Sequence, residues 1–167
     1  RIAERTRASV VRVGFSDHND WRARRVRSGR HGVSFQVHGP DAGFAGEYRI
    51  QLLGRHQVVN ALVALALGAT LGLDPAQIAR GLAECKAPKM RLELWESGGV
   101  RVLDDAYNAN ADSVRAALET LLDLPCTGRR VVVLGDMAEL GVHSEPAHEE
   151  IGRCAAELGV GQLFAVG

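Results

Sequence analysis

Val100-Arg101-Val102-Leu103 is a short, largely apolar run that ends in two adjacent carboxylates, Asp104 and Asp105. A polar loop with Tyr107, Asn108 and Asn110 follows, and then an amphipathic stretch with Val114, Ala117, Leu118, Leu121 and Leu122 at helical spacing. Asp112 or Ser113 is suited to cap that helix. The order then repeats. Arg129 to Asp136 reads as a strand with the run Val131-Val132-Val133-Leu134, expected to be parallel and buried on both faces. A helix is predicted from about Ser144 to Leu158, with Ile151, Cys154, Ala155 and Leu158 facing inward and Glu145, Glu149 and Glu150 near its positive end. Gln162 to Val166 is the last strand. Strand and helix alternating in this way predict a partial Rossmann-like, β-α-β-α-β arrangement.

In open α/β sheets ligands sit at the carboxyl ends of the strands, and that is where the polar residues collect. Adjacent acids can hold a ribose hydroxyl pair, a metal or an amine. An Asn amide can read an adenine edge through its donor and acceptor, and Tyr offers a flat face to a base. The same residues also suit an ordinary βα loop whose acids cap the helix. Spacing alone leaves both readings open.

The first half is patterned differently. Ser9 to Phe15, Gly32 to His38 and Glu47 to Leu52 alternate as strands, and the last two predict an antiparallel hairpin across the Gly39 to Gly43 turn cluster. Ser16 to Asp20 is a polar loop, and Trp21 to Arg27 fits a helix turn or an edge strand. About three strands are expected here, with no parallel-sheet signature. Gly54 breaks the third, and a helix follows from about Gln57 to Leu71, apolar on most sides and so expected to be buried. His56 and Asn60 lie one turn apart on it. An Asn within a buried helix needs a partner, either a ligand or a neighbouring backbone group. Asp74-Pro75 is a strong helix start, opening a helix from Pro75 to Cys85 with Ile78, Leu82 and Cys85 on one face. Lys86-Ala87-Pro88-Lys89 is the candidate domain boundary. Arg91 to Glu96 alternates as a strand, and Ser97-Gly98-Gly99 turns it back into Val100 to Leu103, which places Arg91 and Asp105 in one neighbourhood.

Net charge is zero. The cluster Arg22, Arg24, Arg25, Arg27 and Arg30 is too local for a nucleic-acid footprint. Cys85, Cys126 and Cys154 have no metal-type spacing with His and read as buried thiols in a reducing compartment. The apolar run Ala61 to Gly72 is too short to span a bilayer, and no signal peptide is visible. A cytoplasmic protein is expected. Arg1 opens a helix-like stretch without a start Met, and no strand follows Gly167 to flank the last one, so a piece of a larger protein is expected. Neither a phosphate-cradling Gly-Lys-Ser/Thr loop nor a dinucleotide fingerprint occurs, and no Ser-His-Asp or Cys-His arrangement stands out. The residues themselves lead to a nucleotide-facing α/β edge, without a reaction.

Four segments together resemble the Mur ligases, the ATP-dependent amide-forming enzymes of peptidoglycan synthesis. They are Gly54-Arg55-His56-Gln57-Val58-Val59-Asn60-Ala61-Leu62, Met90-Arg91-Leu92-Glu93, Leu103-Asp104-Asp105-Ala106-Tyr107-Asn108-Ala109-Asn110, and Val133 to Gly141 with His148 downstream. The Asp-Asp-x-Tyr-Asn-Ala-Asn and Gly-Asp-Met-x-Glu-Leu-Gly pair is similar to the branch that adds a dipeptide. The resemblance implies the end of a central ATPase domain, small antiparallel strands plus helices, over residues 1–87. It implies the first part of the C-terminal domain over residues 88–167.

The resemblance also implies a reaction. ATP phosphorylates the carboxylate of a UDP-N-acetylmuramoyl-tripeptide, and the amine of D-alanyl-D-alanine attacks the acyl phosphate. Such chemistry needs cations and Mg²⁺ around the phosphoryl group. Asn60 matches the family Asn beside adenine, with His56 and Gln57 close by. Arg91 resembles the family arginine at the ATP phosphates, and Asp105 the acid that holds the ribose. Tyr107 and Asn108 would line the base. Asp136, Met137 and Glu139 would belong to the loop on the dipeptide side. The phosphate loop with its Lys, the Mg²⁺ acid and the modified lysine would lie upstream of Arg1, so this stretch alone is expected not to turn over, and a monomer is expected.

The chain departs from the family at three positions. Gln57 stands where Asn is usual, Met90 where Gly is usual before the arginine, and Ala111 where Pro commonly follows the second Asn. Two other readings stay open. One is another amide ligase of the superfamily, such as folylpolyglutamate or cyanophycin synthetases, which the Gly-Asp-Met-Ala-Glu-Leu-Gly segment opposes. The other is a non-catalytic nucleotide-binding or interaction module of the same descent.

Overall fold

The computed structural model describes residues 5–167. The helix-like opening at Arg1 lies outside the described residues. The chain forms two compact units. One comprises residues up to Arg27, Val33–Gln51 and His56–Cys85, and the other Ser28–Gly32, Leu52–Arg55 and Lys86–Gly167.

The first unit is built on a sheet of β1 (Val13–Gly14), β2 (Trp21–Gly29), β3 (Gly32–His38) and β4 (Gly46–Ile50), in that spatial order. β3 and β4 pair antiparallel, Phe35 opposite Tyr48, as the alternation predicts. Their inward positions Val33, Phe35, Val37, Tyr48 and Ile50 are buried, because successive side chains point to opposite faces. Two expectations are corrected. β2 is a strand with neighbours on both sides, so it is neither a helix turn nor an edge strand. β1 also runs parallel to it, Val13 opposite Trp21, although no parallel signature was expected. Only two residues of the predicted Ser9 to Phe15 strand pair, a length too short to show a period. Trp21 packs edge-on against Phe44, with ring centroids 5.4 Å apart.

α1 (His56–Thr70) packs on β1 and on α2 (Pro75–Glu84), and α2 packs on β4. The expectation of burial on most sides of α1 is corrected. Val58, Ala61, Leu62 and Leu65 are buried, but Val63, Leu67 and Leu71 form an exposed stripe one turn apart. Asn60 is exposed as well, so desolvation does not force a partner on it. Gly68 lets α1 approach α2 closely: a Cβ there would meet Ile78 Cδ1 at 2.7 Å and push that side chain aside. α2 starts where Asp74-Pro75 predicts. The Asp74 carboxylate accepts from the N–H groups of Ala76 and Gln77, and the Gln77 side chain accepts from the Asp74 N–H.

The second unit opens with the hairpin of β5 (Glu93–Ser97) and β6 (Val100–Asp104). Its two-residue turn, Gly98-Gly99, has φ +57° and +77°, a primed turn that needs left-handed backbone at both positions. α3 (Ala111–Asp123), β7 (Val131–Gly135), α4 (Ser144–Glu157) and β8 (Gln162–Val166) follow. β7 and β8 pair in parallel, Val133 opposite Phe164, while among the described residues β6 pairs only with β5. The β-α-β-α-β order therefore holds from β6 to β8, and β7 and β8 supply the parallel pairing found among the described residues of this unit.

α3 and α4 pack together over Val114, Leu118, Val132, Met137, Ile151, Cys154 and Ala155. A smaller cluster joins Leu53, Leu92 and Leu124. Burial of β7 on both faces is corrected: Val132 is buried, whereas Val131 and Val133 are 43% and 66% exposed. The thiols are corrected too, since Cys154 is buried, Cys126 half-buried and Cys85 exposed. Neither Asp112 nor Ser113 is the α3 cap. Asn110 holds that place, its Oδ1 accepting from the Ser113 N–H while Ser113 Oγ accepts from the Asn110 N–H. The reciprocal pair satisfies two groups that a lone cap would leave to one.

Candidate functional site

The predicted site residues fall into three local groups. His56, Gln57 and Asn60 occupy the first turns of α1, in the first unit. The chain reaches them through Gly54, whose φ of +94° is left-handed backbone. Gln57 Oε1 accepts a 2.9 Å hydrogen bond from Asn60 Nδ2. The extra methylene of Gln over Asn gives the side chain the reach to close this bond. With one donor hydrogen engaged, the exposed Asn60 amide still has its carbonyl and second hydrogen to offer a flat polar edge.

Arg91, Asp105, Tyr107 and Asn108 lie around the end of the β5–β6 hairpin, in the second unit. Leu92 N–H donates to Asp105 Oδ1 at 3.0 Å, and Tyr107 N–H donates to the Met90 carbonyl at 3.1 Å. These two bonds knit the segment after β6 to the segment before β5. Arg91 and Asp105 share that neighbourhood as the hairpin predicts. The Arg91 guanidinium carbon stands 4.1 Å from the Tyr107 ring centroid, a cation–π contact on a ring that is 62% exposed. Strand β5 begins only at Glu93 because Met90 and Leu92 have φ of +60° and +51°. The Met90 N–H is held by Glu93 Oε2 at 3.2 Å. The two acids do not cap α3: Asp104 Oδ1 accepts from Ala106 N–H, and Asp105 reaches Leu92. Asn108 Oδ1 accepts from Ala109 N–H, and its side chain is exposed.

The third group follows β7. Asp136 and Glu139 are exposed, whereas Met137 is 5% exposed and belongs to the core of the second unit. Met137 N–H donates to His148 Nε2 at 3.0 Å, and Asp136 Oδ1 lies 3.8 Å from the same nitrogen. His148 enters the sequence reading only as the tail of the Gly-Asp-Met motif. Its signal was Ser144, four residues earlier on one helix, whose carbonyl takes the other ring nitrogen at 2.8 Å. Among the described residues no three His, Cys, Asp or Glu side chains converge to hold a metal ion, and no helix is long and apolar enough to cross a membrane.

A carboxylate that accepts from a backbone N–H, and a guanidinium set against an exposed aromatic ring, are groups able to meet a sugar, a phosphate or a base. Residues 1–68 match the Mur ligase middle domain, and residues 90–167 match the Mur ligase, glutamate ligase domain. The UDP-N-acetylmuramoyl-tripeptide–D-alanyl-D-alanine ligase of Bacillus subtilis is 36% identical over 155 residues, covering 92% of this chain and 33% of that protein. The ligase of the same name from Mycobacterium tuberculosis is 39% identical over 173 residues, covering 99% and 34%. A crystal structure of MurF from Acinetobacter baumannii superposes with a TM-score of 0.84 at 35% identity, covering 92% of this chain and 33% of that one. The chain thus spans about a third of the length of the curated relatives it matches. With both family models matched in order along its length, the chain belongs to the Mur ligases.

Proposed function

We propose that this chain is part of the ATP-dependent ligase that joins D-alanyl-D-alanine to UDP-N-acetylmuramoyl-tripeptide in peptidoglycan precursor synthesis. The observation that carries the reading is that relatives bearing that name match nine-tenths or more of the chain. In this reading residues 1–87 are the last part of the central ATPase domain and residues 88–167 the first part of the C-terminal domain. The protein works as a soluble cytoplasmic monomer.

The chain's own residues take the nucleotide's parts. Asp105, turned by the Leu92 N–H, accepts from the ribose hydroxyls. Arg91 neutralises phosphate oxygens, where a planar guanidinium binds in bidentate fashion. The Asn60 amide reads the adenine edge, with Gln57 orienting it and His56 beside it. Tyr107 and Asn108 line the base. The Asp136, Met137 and Glu139 loop serves the dipeptide, with Met137 as its anchor in the core and the two carboxylates as its polar face. Mg²⁺ would neutralise charge on the transferring phosphoryl group, and its ligands are expected outside these residues.

The test is turnover by the complete protein. Phosphate release that requires both the UDP-linked tripeptide and D-alanyl-D-alanine is expected, and release driven instead by a single amino acid would overturn the reading. The 167-residue chain by itself is expected to release none. Calorimetry with a non-hydrolysable ATP analogue tests the site residues: binding that is equal in wild type and Asp105→Ala would remove Asp105 from the nucleotide site.

A further inference from the structure

One side chain ties the loop after β7 to α4, and no step of the proposed reaction uses it. His148 Nε2 faces the Met137 N–H at 3.0 Å, and His148 Nδ1 faces the Ser144 carbonyl at 2.8 Å. A backbone N–H can only donate and a carbonyl can only accept. The two contacts therefore define the ring: Nε2 carries a lone pair, Nδ1 carries the proton, and the imidazole is neutral. Asp136 Oδ1, 3.8 Å from Nε2, then meets a nitrogen without a proton and forms no ion pair with it.

We propose that His148 is a positioning residue: by accepting the Met137 N–H it holds the 136–140 loop, and with it the Asp136 and Glu139 carboxylates, in one arrangement for the amino end of the acceptor dipeptide. The ligand in this statement rests on the ligase reading above. Two further observations show that the loop needs holding. Glu139 has a φ of +64°, a left-handed conformation that a non-glycine residue keeps only when its surroundings impose it. Met137 is sunk among Val114, Leu118 and Ile151, which pins the loop by its side chain while His148 pins the adjoining N–H. Asp136 and Glu139 stay exposed, as carboxylates that meet an incoming amine must.

The tautomer can be read in the 167-residue chain without any substitution, from imidazole nitrogen NMR shifts. A pyridine-type Nε2 and a pyrrole-type Nδ1 are expected, and a proton on Nε2 overturns the proposal. His148→Leu removes the acceptor, and His148→Gln returns one near the position of Nε2. Hydrogen exchange at the Met137 amide is expected to quicken about tenfold or more in H148L and to fall back in H148Q, with the Leu118 amide unchanged. Equal Met137 exchange in wild type and H148L overturns the proposal.

In the complete protein, H148L is expected to raise the KM for D-alanyl-D-alanine about tenfold, to leave that for ATP unchanged, and to be rescued by H148Q. No rise, or an equal rise for both substrates, overturns the positioning role. A wild-type protein that releases no phosphate with this dipeptide sinks the ligase reading instead, and the tautomer and exchange results then decide on His148 alone.

Discussion

The Arg91 guanidinium carbon stands 4.1 Å from the centroid of the Tyr107 ring, and the backbones around the two residues are bonded to each other. Tyr107 N–H reaches the Met90 carbonyl, and Leu92 N–H reaches Asp105. The cation is thus set over the ring by main-chain geometry as well as by its own attraction. Both groups are exposed, so the contact is worth about 0.5–1 kcal/mol. Tyr107→Leu is expected to lose that amount in urea unfolding, and Tyr107→Phe to retain it. The ring-current shift of the Arg91 side-chain protons should vanish in Tyr107→Leu. If the shift persists, the pair is not in contact in solution.

Met90 occupies left-handed backbone at φ +60°, where a Cβ costs about 1–2 kcal/mol. Glycine removes that cost but adds about 0.5–1 kcal/mol of unfolded-state entropy. Met90→Gly is therefore expected to be neutral or to stabilise by up to about 1.5 kcal/mol. Met90→Val, branched at Cβ, is expected to destabilise. Equal midpoints for the Gly and Val variants in denaturant titration would mean that residue 90 leaves the left-handed region in solution.

Arg130 closes the carboxyl end of α3. Its guanidinium donates to the carbonyls of Leu121, Leu122 and Leu124 at 3.3, 3.2 and 2.9 Å. These are among the acceptors that a helix end leaves without partners, and a cation there also suits the helix dipole. Arg130→Met keeps much of the apolar stem and removes the donors. It is expected to cost about 1–3 kcal/mol, seen as a lowered midpoint and faster amide exchange in the last turn of α3. Unchanged exchange in that turn would show that water replaces the guanidinium without loss.

Asp17 is bonded to Arg24, and that hydrogen bond and charge hold its carboxyl below the usual carboxylate range. A carboxyl lowered in the folded state favours folding when ionised. Its contribution is complete above the unfolded value of about 4 and is lost as pH falls through the lower folded value. Asp17→Asn should flatten the acid side of the stability profile below about pH 4 and leave its shape near neutrality alone. An unaltered acid slope would mean that Arg24 releases Asp17 in solution.

Local chemistry made much of this fold readable from residue order. Asp74-Pro75 starts α2 because a carboxylate can cap the first N–H groups while Pro lacks one. Gly98-Gly99 turns the β5–β6 hairpin because two left-handed residues in a row exclude almost everything else. Period-two alternation located β3 and β4, and the hairpin placed Arg91 near Asp105. Family likeness then lent those residues their roles. Features that depend on distant neighbours escaped the same reading. How far β7 is buried depends on what covers each face, and Val133 has little over it. The exposed stripe of α1 and the exposed Asn60 follow from which sides of that helix meet β1 and α2. The parallel β1–β2 pair joins only two residues, too few to leave a period in the chain. Met90 takes a conformation that its own side chain opposes, because Glu93 and Tyr107 hold its backbone from either side. The state of the His148 ring has the same origin. A sequence carries the imidazole, but its proton goes to Nδ1 only because folding sets a carbonyl against one nitrogen and an N–H against the other.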